Sequence, residues 1–512
     1  MFVQRNWLRA IFVGCIITLT LTMSLGAQCP PAFEIEGSVQ YASMGRAVAS
    51  VGDVDADGID DFAFAASGAV SVPGAVYVVS GLTHQTIHIL TEPGSPSNSI
   101  EFGSSIAGVG DINLDGSADI LVGVRDLYGN RTGHAFVFSG ADGSILYSFS
   151  GEGAKDAFGA GVISANDFNS DGVNDFLIVA PLNDAAGVDF GRVYLFSGSD
   201  GALLQTLDGH SAEGFGSGIA AGSDLNGDGL PEIVVGASTN SDALLKAGKV
   251  YVYSGSDYSI LYTLNGGDSA LGLGGSLAFT GDLDGDGISD LAVGTPGHTA
   301  LFGSAYRTVG GVQIHSGADG TFIHSINAPA DTAYINSGFG AVSAGGDVDG
   351  DGVPDFAVGA PILDVGSGTY SGGVFLYSGA DFQLIREILA NVQNEFFGGA
   401  SDIKGDYNQD GMADLLTGAI ENNSQGTGAG KAYLYTCAPC CSLAGDANHD
   451  FSTNIADVTF LIGRIFSAGP PPFCADAADA NGDNSVNIAD ATSLIARIFS
   501  GGAAPVCGTT GI

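Results

Sequence analysis

The chain has 512 residues, with 56 Asp and Glu against 15 Lys and Arg, and a formal net charge of -41. At 45% hydrophobic residues it can bury a large core and is no disordered acidic tail. The scarcity of bases excludes DNA, RNA or an anionic membrane surface as partner, since those need clustered Lys and Arg, and leaves divalent metals, polycations and neutral partners open.

Arg5 and Arg9 precede an apolar run from Ile11 to Leu25, and Ser24-Leu25-Gly26-Ala27 offers a small-residue cleavage site. This three-part pattern predicts a secretory signal over residues 1–27. The run is shorter than the ~20 residues a bilayer demands, so no transmembrane anchor is expected. The chain reads as secreted, extracellular or held at a cell surface. Loss of Cys15 with the signal leaves Cys29, Cys437, Cys440, Cys441, Cys474 and Cys507, an even number that predicts disulfides in an exported chain.

From residue 31 to 437 one unit recurs seven times at steps of 56 to 65 residues. Its core is DVDADGIDD at Asp53, DINLDGSAD at Asp111, DFNSDGVND at Asp167, DLNGDGLPE at Asp224, DLDGDGISD at Asp282, DVDGDGVPD at Asp347 and DYNQDGMAD at Asp406. A Phe-Gly pair and an apolar run precede each core. Met44-Gly45 and Leu273-Gly274 take the place of Phe-Gly in units 1 and 5. A strand-like run follows, then GxVYhFSG-like segments such as GRVYLFSG, a turn and a further alternating run. Four short strands per unit, seven times over, predict an all-β seven-bladed propeller. The seventh unit lacks its outer strand, and AFEIEG (32 to 37) has the spacing to supply it, so the N-terminal strand is expected to close blade 7. In that register Cys29 and Cys437 fall in one hairpin turn and are expected to form a disulfide, worth ~3–5 kcal/mol in the chain-entropy model.

In DxDxDGxxD the residues at positions 1, 3, 5 and 9 present oxygens. They are Asp53, Asp55, Asp57 and Asp61; Asp111, Asn113, Asp115 and Asp119; Asp167, Asn169, Asp171 and Asp175; Asp224, Asn226, Asp228 and Glu232; Asp282, Asp284, Asp286 and Asp290; Asp347, Asp349, Asp351 and Asp355; and Asp406, Asn408, Asp410 and Asp414. Asp-Gly turns alone do not explain acids in the same phase seven times. Hard oxygen ligands in a tight loop favour Ca²⁺, up to seven ions in all. These units resemble FG-GAP repeats of the integrin-α-type propeller. The resemblance implies extracellular recognition more than catalysis, with ligand loops on the rim opposite the metal loops. Candidate ligand-loop residues are Arg125, Tyr128 and Arg131 in unit 2, and His298, Tyr306 and Arg307 in the longest such loop, Thr295 to Gly310.

A Cys-rich linker (438–444) leads to two copies of a second unit, spaced 33 residues apart in 445–507: GDANHDFSTNIADVTFLIGRIFS and ADANGDNSVNIADATSLIARIFS. Each fits a 12-position EF-hand-like loop followed by a helix. The ligand positions are Asp446, Asn448, Asp450, Asn454 and Asp457, then Asp479, Asn481, Asp483, Asn487 and Asp490. The tandem looks like a type I dockerin, a small all-α module. The resemblance implies two Ca²⁺ and docking to a cohesin-like domain on a scaffold or surface protein. Ile455-Ala456 and Ile488-Ala489 stand at the family's partner-contact positions. Among Cys440, Cys441, Cys474 and Cys507 three pairings stay open.

No G-x-S-x-G, H-E-x-x-H or other local catalytic signature occurs. The sequence therefore reads as a calcium-binding, non-catalytic recognition or adhesion propeller anchored through its dockerin. Its ligand is left open between an extracellular protein and a glycan. The alternative is a component or enzyme of an extracellular polysaccharide-degrading complex, since dockerins commonly deliver glycoside hydrolases.

Overall fold

The computed structural model describes residues 31–37, 40–68, 74–94, 101–126, 132–302, 305–328, 336–364, 370–390, 394–423 and 426–436, then 445, 447, 453–467, 478, 480–481, 486–500 and 502. The first part forms seven four-stranded antiparallel sheets arranged as the blades of a propeller. Blade 1 holds Met44–Gly52, Asp61–Ala66, Ala75–Val79 and Thr86–Thr91 in that spatial order. Blades 2 to 6 repeat the plan from inner strands that begin at Glu101, Gly161, Phe215, Leu277 and Ala341. The inner strand of each blade packs against that of the next, and blade 7 against blade 1.

Burial follows position in the blade. Second strands such as Asp61–Ala66 and Asp175–Ala180 are buried at every residue, because neighbouring blades cover both faces. Outer strands such as Ile145–Ser150 leave alternate residues in solvent.

The residue before the recurring glycine plugs the seam between blades. Phe102, Phe158, Phe215, Phe339 and Phe397 are at most 2% exposed, and so are Met44 and Leu273. Phe158, Leu273, Phe339, Phe397 and Met44 each form a backbone bridge to the glycine ahead of the third strand in the preceding blade. Units 1 and 5 thus keep the same role with a different apolar side chain. Outer strands also reach forward: Tyr147 donates to the Ser199 carbonyl at 2.9 Å and Tyr262 to the Gly317 carbonyl at 2.5 Å.

Blade 7 is built from both ends of the propeller. Its inner three strands are Phe397–Asp402, Leu415–Ala419 and Lys431–Tyr435. Phe33–Glu36 completes it, as the sequence predicts, with Phe33 opposite Leu434 and Glu36 opposite Lys431, one residue out of the register carried over from blade 3. Lys431 Nζ lies 3.0 Å from Glu34 and 2.9 Å from Glu36. The ring of Phe33 packs on Phe62 and Phe64 of blade 1, 5.9 and 6.5 Å between centroids. Cys29 and Cys437 lie outside the described residues, as do Cys440, Cys441, Cys474, Cys507 and residues 1–27.

The segment Thr295 to Gly310, read from sequence as a loop, contains a further two-stranded hairpin, Thr299–Phe302 with Ala305–Thr308. The Gly303-Ser304 pair between its arms is a hairpin signal that the reading of the segment as a loop passed over. In the C-terminal region, helices α1 (Ile455–Ser467) and α2 (Ile488–Ser500) pack together around Val458, Leu461, Ala491 and Leu494. No helix among the described residues is long and apolar enough to cross a membrane.

Candidate functional site

Each inner strand runs into a nine-residue loop that turns the chain into the second strand. In all seven loops the first Asp accepts the N–H of the sixth residue at 2.8–2.9 Å, from Gly58 onto Asp53 through to Gly411 onto Asp406. These glycines have φ between 84 and 99. A Cβ there would meet open space, so the left-handed turn and not crowding requires glycine. The fifth Asp accepts the N–H of the seventh residue at 2.8–3.0 Å.

The folded loops bring the expected oxygens together. Asp53, Asp55 and Asp57; Asp224, Asp228 and Glu232; Asp282, Asp284 and Asp290; and Asp347, Asp349 and Asp351 each place three carboxylate oxygens within 4.8 Å of one another. In blades 2 and 7 the third position is an amide that ties in a neighbouring acid, Asn113 to Asp115 at 2.8 Å and Asn408 to Asp410 at 2.9 Å. Asn169 of blade 3 instead donates to Ser197 at 3.3 Å.

The ninth position has a second role. Asp61, Asp119, Asp175, Glu232, Asp290, Asp355 and Asp414 are fully buried. One oxygen of Asp355 accepts Val348 N–H at 2.7 Å and Asp349 N–H at 3.3 Å, while the other accepts Gly379 N–H at 2.9 Å. The same bonds join Asp61 to Val54 and Gly81, Asp119 to Ile112 and Gly140, Asp175 to Phe168 and Gly198, and Asp290 to Leu283 and Gly317. The ninth acid therefore pins its loop to the turn after the third strand. Sequence reasoning missed this; the signal was the Ser-Gly pair that closes the third strand in blades 1 to 6, as in Ser197-Gly198.

Burial drives the Asp61 and Asp119 carboxyls up to about 6 and Asp355 up to about 7, with backbone N–H donors opposing the rise. Burial likewise raises Asp349 to about 6, aided by the charge of Asp351. These are carboxylates short of counter-charge. The donor set is all oxygen and suits a hard divalent cation, which would supply that charge.

In the C-terminal region the described ligand positions form reciprocal caps. Asn454 N–H donates to Asp457 at 2.7 Å and its side chain accepts Ala456 N–H at 2.8 Å. Asn487, Asp490 and Ala489 repeat this at 2.8 and 2.8 Å. Such caps start the helices whether or not metal is present. Asp490 also accepts Asn481 N–H at 3.2 Å, which folds position 12 back onto position 3 of its loop. Asp446, Asn448, Asp450, Asp479 and Asp483 lie outside the described residues. Ile455, Ile462 and Phe466 of α1 are exposed, and so are Ile488, Ile495 and Phe499 of α2, at the same three places. Ala489 is exposed and Ala456 half-buried.

The FG-GAP repeat model matches residues 215–253, 273–312 and 339–377, and the dockerin type I domain model matches 444–499. The chain is a seven-bladed FG-GAP propeller carrying a type I dockerin domain. The matched repeats each start at the seam residue, Phe215, Leu273 or Phe339, and end in the third strand. Blades 1, 2, 3 and 7 build the same loop. The FG-GAP propeller is similar to integrin alpha-5 of Xenopus laevis, 38% identical over 214 residues, which is 38% of this chain and 20% of that protein. It is also similar to integrin alpha-PS5 of Drosophila melanogaster, 30% identical over 203 residues, 36% of this chain and 20% of that one. A phosphatidylinositol-glycan-specific phospholipase D of Mus musculus is 38% identical over 152 residues, 26% of this chain and 18% of its own. The chain thus spans a fifth or less of the length of these relatives.

The candidate ligand residues of the propeller belong to the connections between the second and third strands of blades 2 and 5, on the rim opposite the metal loops. Arg125 is engaged with Glu101 through Nε at 3.1 Å and through Nη2. Tyr128 and Arg131 lie outside the described residues. His298 is half-buried, its imidazole lowered by burial, and its carbonyl accepts Val309 N–H at 2.8 Å. Tyr306 and Arg307 sit on the extra hairpin, opposite Leu301 and Ala300. Buried acids on this rim were not foreseen, among them Asp156, Glu213 and Glu395, which precede the seam residues of blades 3, 4 and 7. Each bonds a buried amide of its own blade's second connection, Asn183, Asn240 or Asn422. They brace two loops against each other and are structural.

Proposed function

We propose that this protein is an exported, calcium-stabilised, non-catalytic recognition propeller, held by its dockerin on a cohesin-like domain of a scaffold or surface protein. The observation that carries the docking half is the twinned apolar stripe. Ile455, Ile462 and Phe466 repeat as Ile488, Ile495 and Phe499, exposed on both helices, while Leu461 and Leu494 are fully buried between them. Exposed apolar patches of this kind mark protein interfaces. The calcium half rests on seven propeller loops of one ligand pattern, two dockerin loops of another, and propeller carboxylates raised by burial. The ions would sit on the residues at positions 1, 3, 5 and 9 of the seven propeller loops, and on the two dockerin loops through Asp457 and Asp490 with their partners.

The test is retention of the full chain on immobilised cohesins, with Ca²⁺ and with chelator. Retention is expected with Ca²⁺ and loss with chelator. The pair Ile455→Asp and Ile488→Asp should abolish retention while the Ca²⁺-loaded melting temperature stays unchanged. Wild-type retention by that double variant, or none by the parent on any cohesin, would refute the docking reading.

A further inference from the structure

Inner-strand residues of blades 1, 2, 6 and 7, with Ser276 of blade 5, line an open cavity of about 270 Å³. It is lined by the residues that follow the seam position, so it opens on the rim opposite the metal loops, which stand at the other ends of the same strands. Its wall is small and polar, with Ser104, Ser105, Ser276 and Ser401 among alanine, glycine, valine and isoleucine. Arg46 is the one ionisable side chain in that wall. In a chain of net charge -41 a cation at the mouth of this cavity is against the trend.

The charges beside it do not balance. Arg125 and Arg46 both turn to Glu101. Arg125 donates to Glu101 Oε2 through two nitrogens and holds it in hydrogen-bond contact. Arg46 Nη2 stops 3.5 Å from the same oxygen, an ion pair longer than a hydrogen bond. The serine hydroxyls are otherwise engaged: Ser104 bonds the Gly159 carbonyl, Ser105 accepts Val162 N–H and Ser276 accepts Val342 N–H. Two guanidinium groups thus share one carboxylate, and the planar fork of Arg46 is shaped for a second.

We propose that the mouth of this cavity binds a small, singly charged carboxylate of about the size of a hexuronate, with Arg46 as its anchor. This rests on the reading of the propeller as a recognition module and names the chemistry of its ligand. The cavity falls just below the ~300–1,000 Å³ of ordinary small-molecule pockets, which suits one sugar-sized unit. A polyanion is disfavoured, because the surrounding acidic surface repels every charge beyond the one Arg46 meets.

The experiment is calorimetric titration of the Ca²⁺-loaded full chain with galacturonate, with glucose and with polygalacturonate. Galacturonate should bind, glucose should not, and the polymer should bind more weakly per unit. Arg46→Gln should weaken galacturonate about tenfold or more, the loss expected for one charge-assisted contact. Glu101→Gln should tighten it, since the internal competitor is neutralised. Absence of galacturonate binding, equal binding of glucose, stronger binding of the polymer, or an Arg46→Gln affinity like the parent's would each overturn the proposal. Cohesin retention and Ca²⁺-dependent melting, measured on the same samples, show whether the wider reading has failed as well.

Discussion

At the scale of single residues, acids in one loop divide their labour. Asp351 of blade 6 is exposed, whereas Asp355 is buried and collects three backbone donors. Truncating a buried acceptor leaves those donors unpaired, about 1–3 kcal/mol each at worst. Asp355→Ala is therefore expected to lower the thermal midpoint both with Ca²⁺ and with chelator. Asp351→Ala loses one exposed bond from Val353 N–H and the proposed ion, so it is expected to lower it mainly with Ca²⁺ and little with chelator. Scanning calorimetry of both variants in both buffers checks this, and equal responses would contradict the division. The positions of all these acids were legible in the sequence, since one carboxylate pattern in constant phase leaves few alternatives. The pinning role of the ninth was not. It depends on Gly379, 24 residues further along the chain, and a local pattern does not say which N–H a carboxylate will meet.

At the scale of elements, the blades were legible because Gly and Asp turns punctuate strands of even length. The strand Phe33–Glu36 was legible too, because the seventh unit ran out one strand early. The hairpin Thr299–Phe302 with Ala305–Thr308 was overlooked, since it is an insertion absent from the described residues of the other six units and its arms are only four residues long. Without Phe33–Glu36, the strand Lys431–Tyr435 becomes an unpaired edge with Tyr433, Leu434 and Tyr435 beside it. Exposed edges of that kind pair with other chains. Deletion of residues 31–37 is expected to give oligomers or aggregates in Ca²⁺ buffer. Size-exclusion with light scattering reads the outcome, and a monodisperse monomer would argue against the strand as the lock.

At the scale of the whole molecule, the raised carboxyls set a pH dependence whose sign depends on the metal. In chelator, Asp61, Asp119 and Asp349 titrate at about 6 and Asp355 at about 7, against ~4 in an unfolded chain. Between pH ~4 and ~7 the folded state then holds more protons than the unfolded one, so stability falls as pH rises through that window and is least above it. With Ca²⁺ bound, protons compete with the ion for the same oxygens, so stability should instead fall as pH is lowered. Melting scans at pH 5 and pH 8, each with Ca²⁺ and with chelator, are expected to show opposite slopes. Parallel slopes would deny that these acids hold the ion.

The closing contact of the propeller also fixes an order of events. Lys431 and Glu34 are 397 residues apart in the chain, and every other blade pairs strands that are near neighbours in sequence. Loop-closure entropy rises with separation, so contacts between near neighbours form first and the most distant one last. Blades 1 to 6 can assemble as the chain emerges, but the first strand waits, unpaired, until the last blade has been made. Time, more than contact energy, is what this architecture demands of the cell that makes it.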